Sequence, residues 1–253
     1  MQRILFAWAF ASVVLAAPQP EVKTIIQRSV EANDRDFRAA SQFNYKEKDR
    51  VGKELKTYQV TMIDGSPYQR LIAVGGEPLS AEQAAEELKK EQQAAASRKA
   101  QSAQQRKDRI AGYEKGRKRD HEMMGQLSEA FDFTLLGKKK IKTFNVWVLK
   151  ATPRPGYKPP NMATQVLPGM EGELWIDQKT YEWVKVTARV IRPVSIEGFL
   201  ARVEPGTRFE IEKAPVGGGI WEITHFSMQS RAKVLFLVNR ASEEEDWFYD
   251  FKR

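Results

Sequence analysis

Apolar residues fall at helical spacing near the start of the chain. Val22, Ile25, Ile26 and Val30 lie on one side of residues 21–33 and predict a short amphipathic helix. The period then changes to two. Phe43 and Tyr45 alternate with polar neighbours, as do Tyr58, Val60 and Met62, and Asp64-Gly65 is a tight-turn signal before a third strand at 68–74, ended by Gly75-Gly76. Next comes a helix start, with Ser80 as N-cap and Gln83 three residues on to complete a capping box. As far as residue 119 the chain is Ala, Gln, Glu, Lys and Arg, and Leu88, Ile110 and Tyr113 are almost its only large apolar residues. This predicts a long polar helix, broken near Gly112 and Gly116, then a short helix over 120–129 carrying Met123, Met124 and Leu127. A helix without an apolar stripe cannot join a core, so residues 80–119 are expected to project from the β domain.

Short strands return at Phe131 and Phe133, with a basic turn at Gly137-Lys138-Lys139-Lys140. In the next strand Phe144, Val146 and Val148 share one face, and Trp147 and Leu149 the other. Five prolines make residues 152–168 a loop. Leu174-Trp175-Ile176-Asp177 and residues 183–191 form a hairpin turned at Gln178-Lys179-Thr180. In it Trp175 is expected to be well buried, and Asp177 to end its strand by accepting backbone N–H groups. Strands near 209–211, 220–226, 234–238 and 247–251 follow, with Gly217-Gly218-Gly219 as a turn. About ten short, closely spaced strands suit one largely antiparallel sheet. Strands apolar on both faces imply that one face packs on helices while the other meets a second layer or a cavity.

The N-terminus reads Met1-Gln2-Arg3, then an apolar run over 4–15, then Ala16-Ala17-Pro18. That is the layout of a cleavable export signal, cut after Ala16, since a dozen apolar residues fall short of the ~20 that span a bilayer. The expected organisation is a signal at 1–16 and one domain at 17–253, soluble outside the cytoplasm, with a helical insertion at 80–129.

The chain has no cysteine, which excludes disulfides, thiolate metal sites and a Cys nucleophile. His121 and His225 are far apart, and neither has a His or Cys at metal spacing. No nucleophile motif or phosphate loop is present, so no enzyme, metal or cofactor is expected. The charge is local. Residues 98–119 hold nine Lys/Arg against two Asp/Glu, and the formal net charge of the whole chain is +8. Arg98, Lys99, Arg106, Lys107, Arg109, Arg117, Lys118 and Arg119 are therefore candidates for docking on an anionic membrane surface or an acidic partner, set against a plain solvated helix. Export argues against nucleic acid as the target.

The stretch Gly172-Glu173-Leu174-Trp175-Ile176-Asp177, followed by Trp183-Val184-Lys185-Val186, resembles the periplasmic lipoprotein-carrier family, the LolA-like outer-membrane lipoprotein-sorting proteins. The loop from Arg154 to Pro159 and the closing Trp247-Phe248-Tyr249-Asp250-Phe251 resemble a bacterial subgroup of that family without a defined function. The resemblance implies an α+β fold: a curved, incomplete antiparallel β-barrel, or half-barrel, closed by helices, with an apolar interior that accepts acyl chains. The long polar helical insertion is an addition to that plan. On this reading the protein carries or chaperones a lipid or lipoprotein acyl chain, and Phe144, Trp147, Trp175, Trp183, Phe226 and Phe236 are the lining candidates. The alternative on the same fold is a periplasmic sensor or protein-interaction domain.

Overall fold

The computed structural model describes residues 20–39, 43–196, 201–234 and 238–253. The expected signal and Phe236 lie outside these residues, as does the middle of the strand expected at 234–238. The alternating segments pair into one antiparallel sheet. Its strands are β1 (Asn44–Val51), β2 (Glu54–Ile63), β3 (Ser66–Val74), β4 (Glu77–Pro78), β5 (Phe131–Ile141), β6 (Phe144–Pro153), β7 (Met170–Asp177), β8 (Trp183–Val190), β9 (Val194–Ile196), β10 (Ala201–Val203), β11 (Arg208–Gly217), β12 (Ile220–Val234) and β13 (Val238–Lys252). The spatial order is β4-β3-β2-β1-β13-β12-β11-β8-β7-β6-β5, with β10 on β12 and β9 on β10 off this path. β4 and β5 stand at opposite ends, so the sheet is open. β13 closes against β1, pairing Asn44 with Lys252.

The turns follow local chemistry. Asp64 (φ 49°) and Gly65 (φ 87°) both take the left-handed backbone that a two-residue hairpin loop requires. Asp177 does end its strand: its Oδ2 accepts from Lys179 N (3.1 Å), Thr180 N (2.8 Å) and Thr180 Oγ1 (2.9 Å). The expected basic turn at 137–140 is a bulge inside β5 instead. Gly137 (φ 148°) absorbs it, and Leu136, the extra residue, is pushed into solvent.

The helices are α1 (Val22–Ala39), α2 (Ala81–Lys99), α3 (Ala103–Gly125) and α4 (Leu127–Ala130). The capping box of α2 forms as expected: Gln83 N donates to Ser80 Oγ (3.2 Å) and Ser80 N to Gln83 Oε1 (3.1 Å). The helix does not break at its glycines. It breaks after Lys99, where Ser102 and Gln105 build a second capping box, and Gly112 and Gly116 lie inside α3. Nor does the insertion project. Glu91 of α2 pairs with Arg70 of β3 at 2.8 Å, and Ile110 of α3 packs beside Gly65 at the β2–β3 turn, close enough that a Cβ there would sit 2.9 Å from its Cδ1. Polar contacts do the joining that an apolar stripe would otherwise do.

Pleating divides the core. Trp147, Leu149, Leu174, Ile176 and Trp183 form one cluster with Ile25 and Ile26 of α1. Val146, Val148 and Val184 point the other way and pack with Trp221, flanked by Phe144 and Trp175. A third cluster gathers Ala130, Phe131, Leu167, Met170 and Val190. Both faces of β6 are thus buried, as its sequence implies. Trp175 corrects an expectation. Leu174 and Ile176 take the inward positions, and Trp175 is only half-buried, its Nε1 donating to Glu173 (3.0 Å) with the Lys139 ammonium 5.0 Å from its ring centre.

Candidate functional site

Three elements enclose a groove of about 640 Å³. α1 contributes Val22, Ile26 and Val30; the end of α4 contributes Ser128 and Glu129; the first residues of β5 contribute Phe131 and Phe133. The i, i+4, i+8 spacing of the three aliphatics puts them on one stripe of α1. Arg154, at the loop after β6, fixes the α4–β5 corner by donating to Ser128 O (3.1 Å), Phe131 O (2.9 Å) and Asp132 Oδ1 (2.9 Å). Charged and polar groups mark the rim: Lys23, Gln27, Glu31, Glu129, Asp132 and Arg154. Phe131 and Phe133, with ring centres 6.4 Å apart, also line an apolar slot of about 60 Å³ with Leu127, Leu167 and Met170. An apolar wall with a polar mouth can hold an amphiphile by its chain and leave the head in water.

A second hollow of about 610 Å³ has a different character. Lys150, Glu171, Glu173, Thr187, Arg189, Arg208 and Glu210 make it a charged trough. Several of these charges are already matched, as in Arg189 with Glu171 and Lys185 with Glu210 (2.6 Å).

The five aromatic candidates among the described residues are not brought together in one place. Trp147 and Trp183 are buried beneath α1, and Phe144 and Trp175 belong to the opposite face. Phe226 is half-buried on β12, opposite Ile211 and Asp246. The groove residues were legible only as the stripe of α1 and the Phe131/Phe133 pair. Nothing in the sequence shows that those two segments meet.

The basic candidates also divide. Arg98 donates to Ile63 O (2.9 Å), Ser66 O (2.8 Å) and Pro67 O (3.0 Å). Arg109 reaches Ser66 Oγ (2.6 Å) and Asp64 Oδ2 (2.8 Å), and Arg106 pairs with Asp64 Oδ1 (2.7 Å). These three grip the β2–β3 turn. Arg117 bonds Glu114 and the Phe37 carbonyl and lies over the Phe37 ring. Lys118 sits 3.8 Å from Glu122, and Lys99, Lys107 and Arg119 are exposed. His121 pairs with Asp34 (2.8 Å) and stacks on Phe37, and His225 pairs with Glu245 (3.0 Å). Among the described residues no cluster of His, Cys, Asp or Glu could hold a metal, and no helix is long and apolar enough to cross a membrane.

No protein-family model and no curated protein matches the chain. Among solved structures it is similar to a LolA superfamily protein from Nitrosomonas europaea, at 10% identity over 92% of this chain and 94% of that one, with a TM-score of 0.36. It is similar to an outer membrane lipoprotein-sorting protein domain from Vibrio parahaemolyticus, at 12% identity over 89% and 92%, with a TM-score of 0.32. It is also similar to the MucA/MucB complex structure from Pseudomonas aeruginosa, at 10% identity over 89% and 92%, with a TM-score of 0.24.

Proposed function

We propose that the protein is a carrier or chaperone, without covalent chemistry, that works outside the cytoplasm and holds the acyl chain of a lipid or lipoprotein between α1, α4 and β5. The open sheet with helices over one face then acts as the half-barrel, and α1 is the movable wall. The observation that carries the reading is the apolar groove itself, with Val22, Ile26, Val30, Phe131 and Phe133 facing about 640 Å³. Pockets for small amphiphiles run at about 300–1,000 Å³. Each buried methylene contributes about 0.8 kcal/mol, so one chain gives the reversible binding that a carrier needs. The exposed heads of Lys99, Lys107 and Lys118 support a further step in which an anionic membrane surface is touched during loading or delivery.

The test is mass spectrometry of natively purified protein, with and without Val30→Glu. Val30 lines the groove yet is only half-buried, so the variant should fold and lose its lipid. A folded variant that keeps the same lipid load would overturn the assignment. A protein partner retained in place of lipid would favour the interaction-domain reading.

A further inference from the structure

The far half of α1 ends in a buried ionic cluster that the groove does not use. Lys213 is its centre. Successive side chains of β11 point to opposite faces: Glu212 meets Lys142 (2.8 Å), while Lys213 faces α1. The Lys213 ammonium donates to Asn33 Oδ1 (2.8 Å) and lies 3.5 Å from Asp36 and 3.6 Å from Glu182. The side chains of Lys213, Asp36 and Glu182 are 6%, 4% and 0% exposed. Glu182 is held from below, since its carbonyl accepts from Asp177 N (2.9 Å) in the β7–β8 turn.

The charges do not balance. Asp36 from α1, Glu182 before β8 and Glu222 from β12 bring three carboxyls, against one buried ammonium. Arg35 bonds Glu182 and lies 3.7 Å from Asp36, but it is half exposed. From α3, Arg117 and Tyr113 face Glu222, and Arg117 is already committed to Glu114; from β1, Tyr45 faces Glu222 as well. Both Asp36 oxygens, Glu182 Oε2 and Glu222 Oε1 are buried without a hydrogen-bond partner. Buried carboxylates left this way are costly, whereas one proton among them turns an oxygen into a donor.

We propose that this cluster is a proton-controlled latch. With Glu182 and Glu222 protonated, α1 is docked; when those protons leave, three carboxylates face Lys213 and the half-exposed Arg35, and α1 lifts from the sheet. Burial is the largest push on Glu182, with Lys213 opposing it and Asp36 adding to it, and the result is about 7. Burial likewise raises Glu222 to about 7. Both values lie above those of the undocked, solvated state. The docked state therefore binds more protons, is favoured in acid, and is lost as pH rises through about 7. Because α1 is also a wall of the groove, the latch would couple proton concentration to cargo release. That consequence rests on the carrier reading; the latch itself does not.

Hydrogen exchange of the full chain at pH 6 and pH 8, corrected for intrinsic rates, reads α1 directly and needs no cargo. Amides of residues 30–39 should exchange about tenfold faster at pH 8, relative to those of β6 and β7, the equivalent of one pKa unit of linkage. Glu182→Gln and Glu222→Gln each imitate the protonated acid and should keep α1 protected at pH 8. Equal protection of the unmodified protein at both pH values would overturn the latch, as would an unchanged pH effect in both variants. If Glu182→Gln fails to fold, the unmodified profile and Glu222→Gln still decide.

Discussion

Arg98 offers a sharp test of how the helical insertion is held. Its guanidinium donates to three main-chain carbonyls at the β2–β3 turn, and its flat face lies over Tyr68 at 5.8 Å. Arg98→Met keeps most of the aliphatic stem and removes only the donors. A hydrogen bond to a charged group is worth about 1.5–3 kcal/mol net, and three would sum to more than 4. The turn is only part-buried and water can reach some of the freed carbonyls, so about 2–4 kcal/mol is the reasoned loss. At about 2–4 °C per kcal/mol for a domain of this size, the melting point should fall by roughly 5–15 °C. Differential scanning calorimetry, with Lys99→Met as the neighbouring control, makes the comparison. The exposed Lys99 should stay within about 0.5 kcal/mol of the parent. If Arg98→Met also stayed within a degree or two, the insertion would not depend on this grip, and its hold would rest on Arg106, Arg109 and the Glu91–Arg70 pair.

Two further outcomes follow from burial and charge. Trp147→Ala, deep beneath α1, should cost about 3–5 kcal/mol in urea unfolding, and the half-buried Trp175→Ala clearly less; equal losses would contradict the assignment of the two faces. Asp246 stands directly opposite Asp49 across β1 and β13, and burial, then Asp49, raises it to about 7. Its folded value lies above its unfolded one, so stability falls as pH rises towards 7. Asp246→Asn should therefore stabilise the protein by about 1–2 kcal/mol at pH 8, after allowance for solvent screening, and hardly at all near pH 4.

The sheet was legible wherever one residue type forces one geometry. Asp64-Gly65, the Ser80 cap and the Asp177 turn all form as read, because each depends on contacts within a few residues. The readings that failed depend on distant contacts. α1 continues six residues past its expected end at residue 33, where Asp34 and Asp36 find His121 and Lys213 across the fold. Gly137 reads as a turn from its neighbours, yet β6 pairs on both sides of it. A polar helix with no stripe reads as detached until Arg98 and Arg109 are seen to end on main-chain oxygens. The groove was not legible for the same reason: its walls are about a hundred residues apart along the chain.

The pairing of β1 with β13 bears on how the chain reaches this shape. Each half of the sheet is built from neighbouring hairpins, which close fast because few residues lie between their partners. Among the described strands, only the β1–β13 pairing joins β1–β4 to the rest of the sheet, and it links Asn44 to Lys252, far apart along the chain. Until β13 has been made, β1 lacks one neighbour and the β2–β3 hairpin is anchored only through its helices. Shortening the chain by one strand would leave two part-folded bodies with exposed edges. The slowest event in folding should be this final joining rather than the formation of either half.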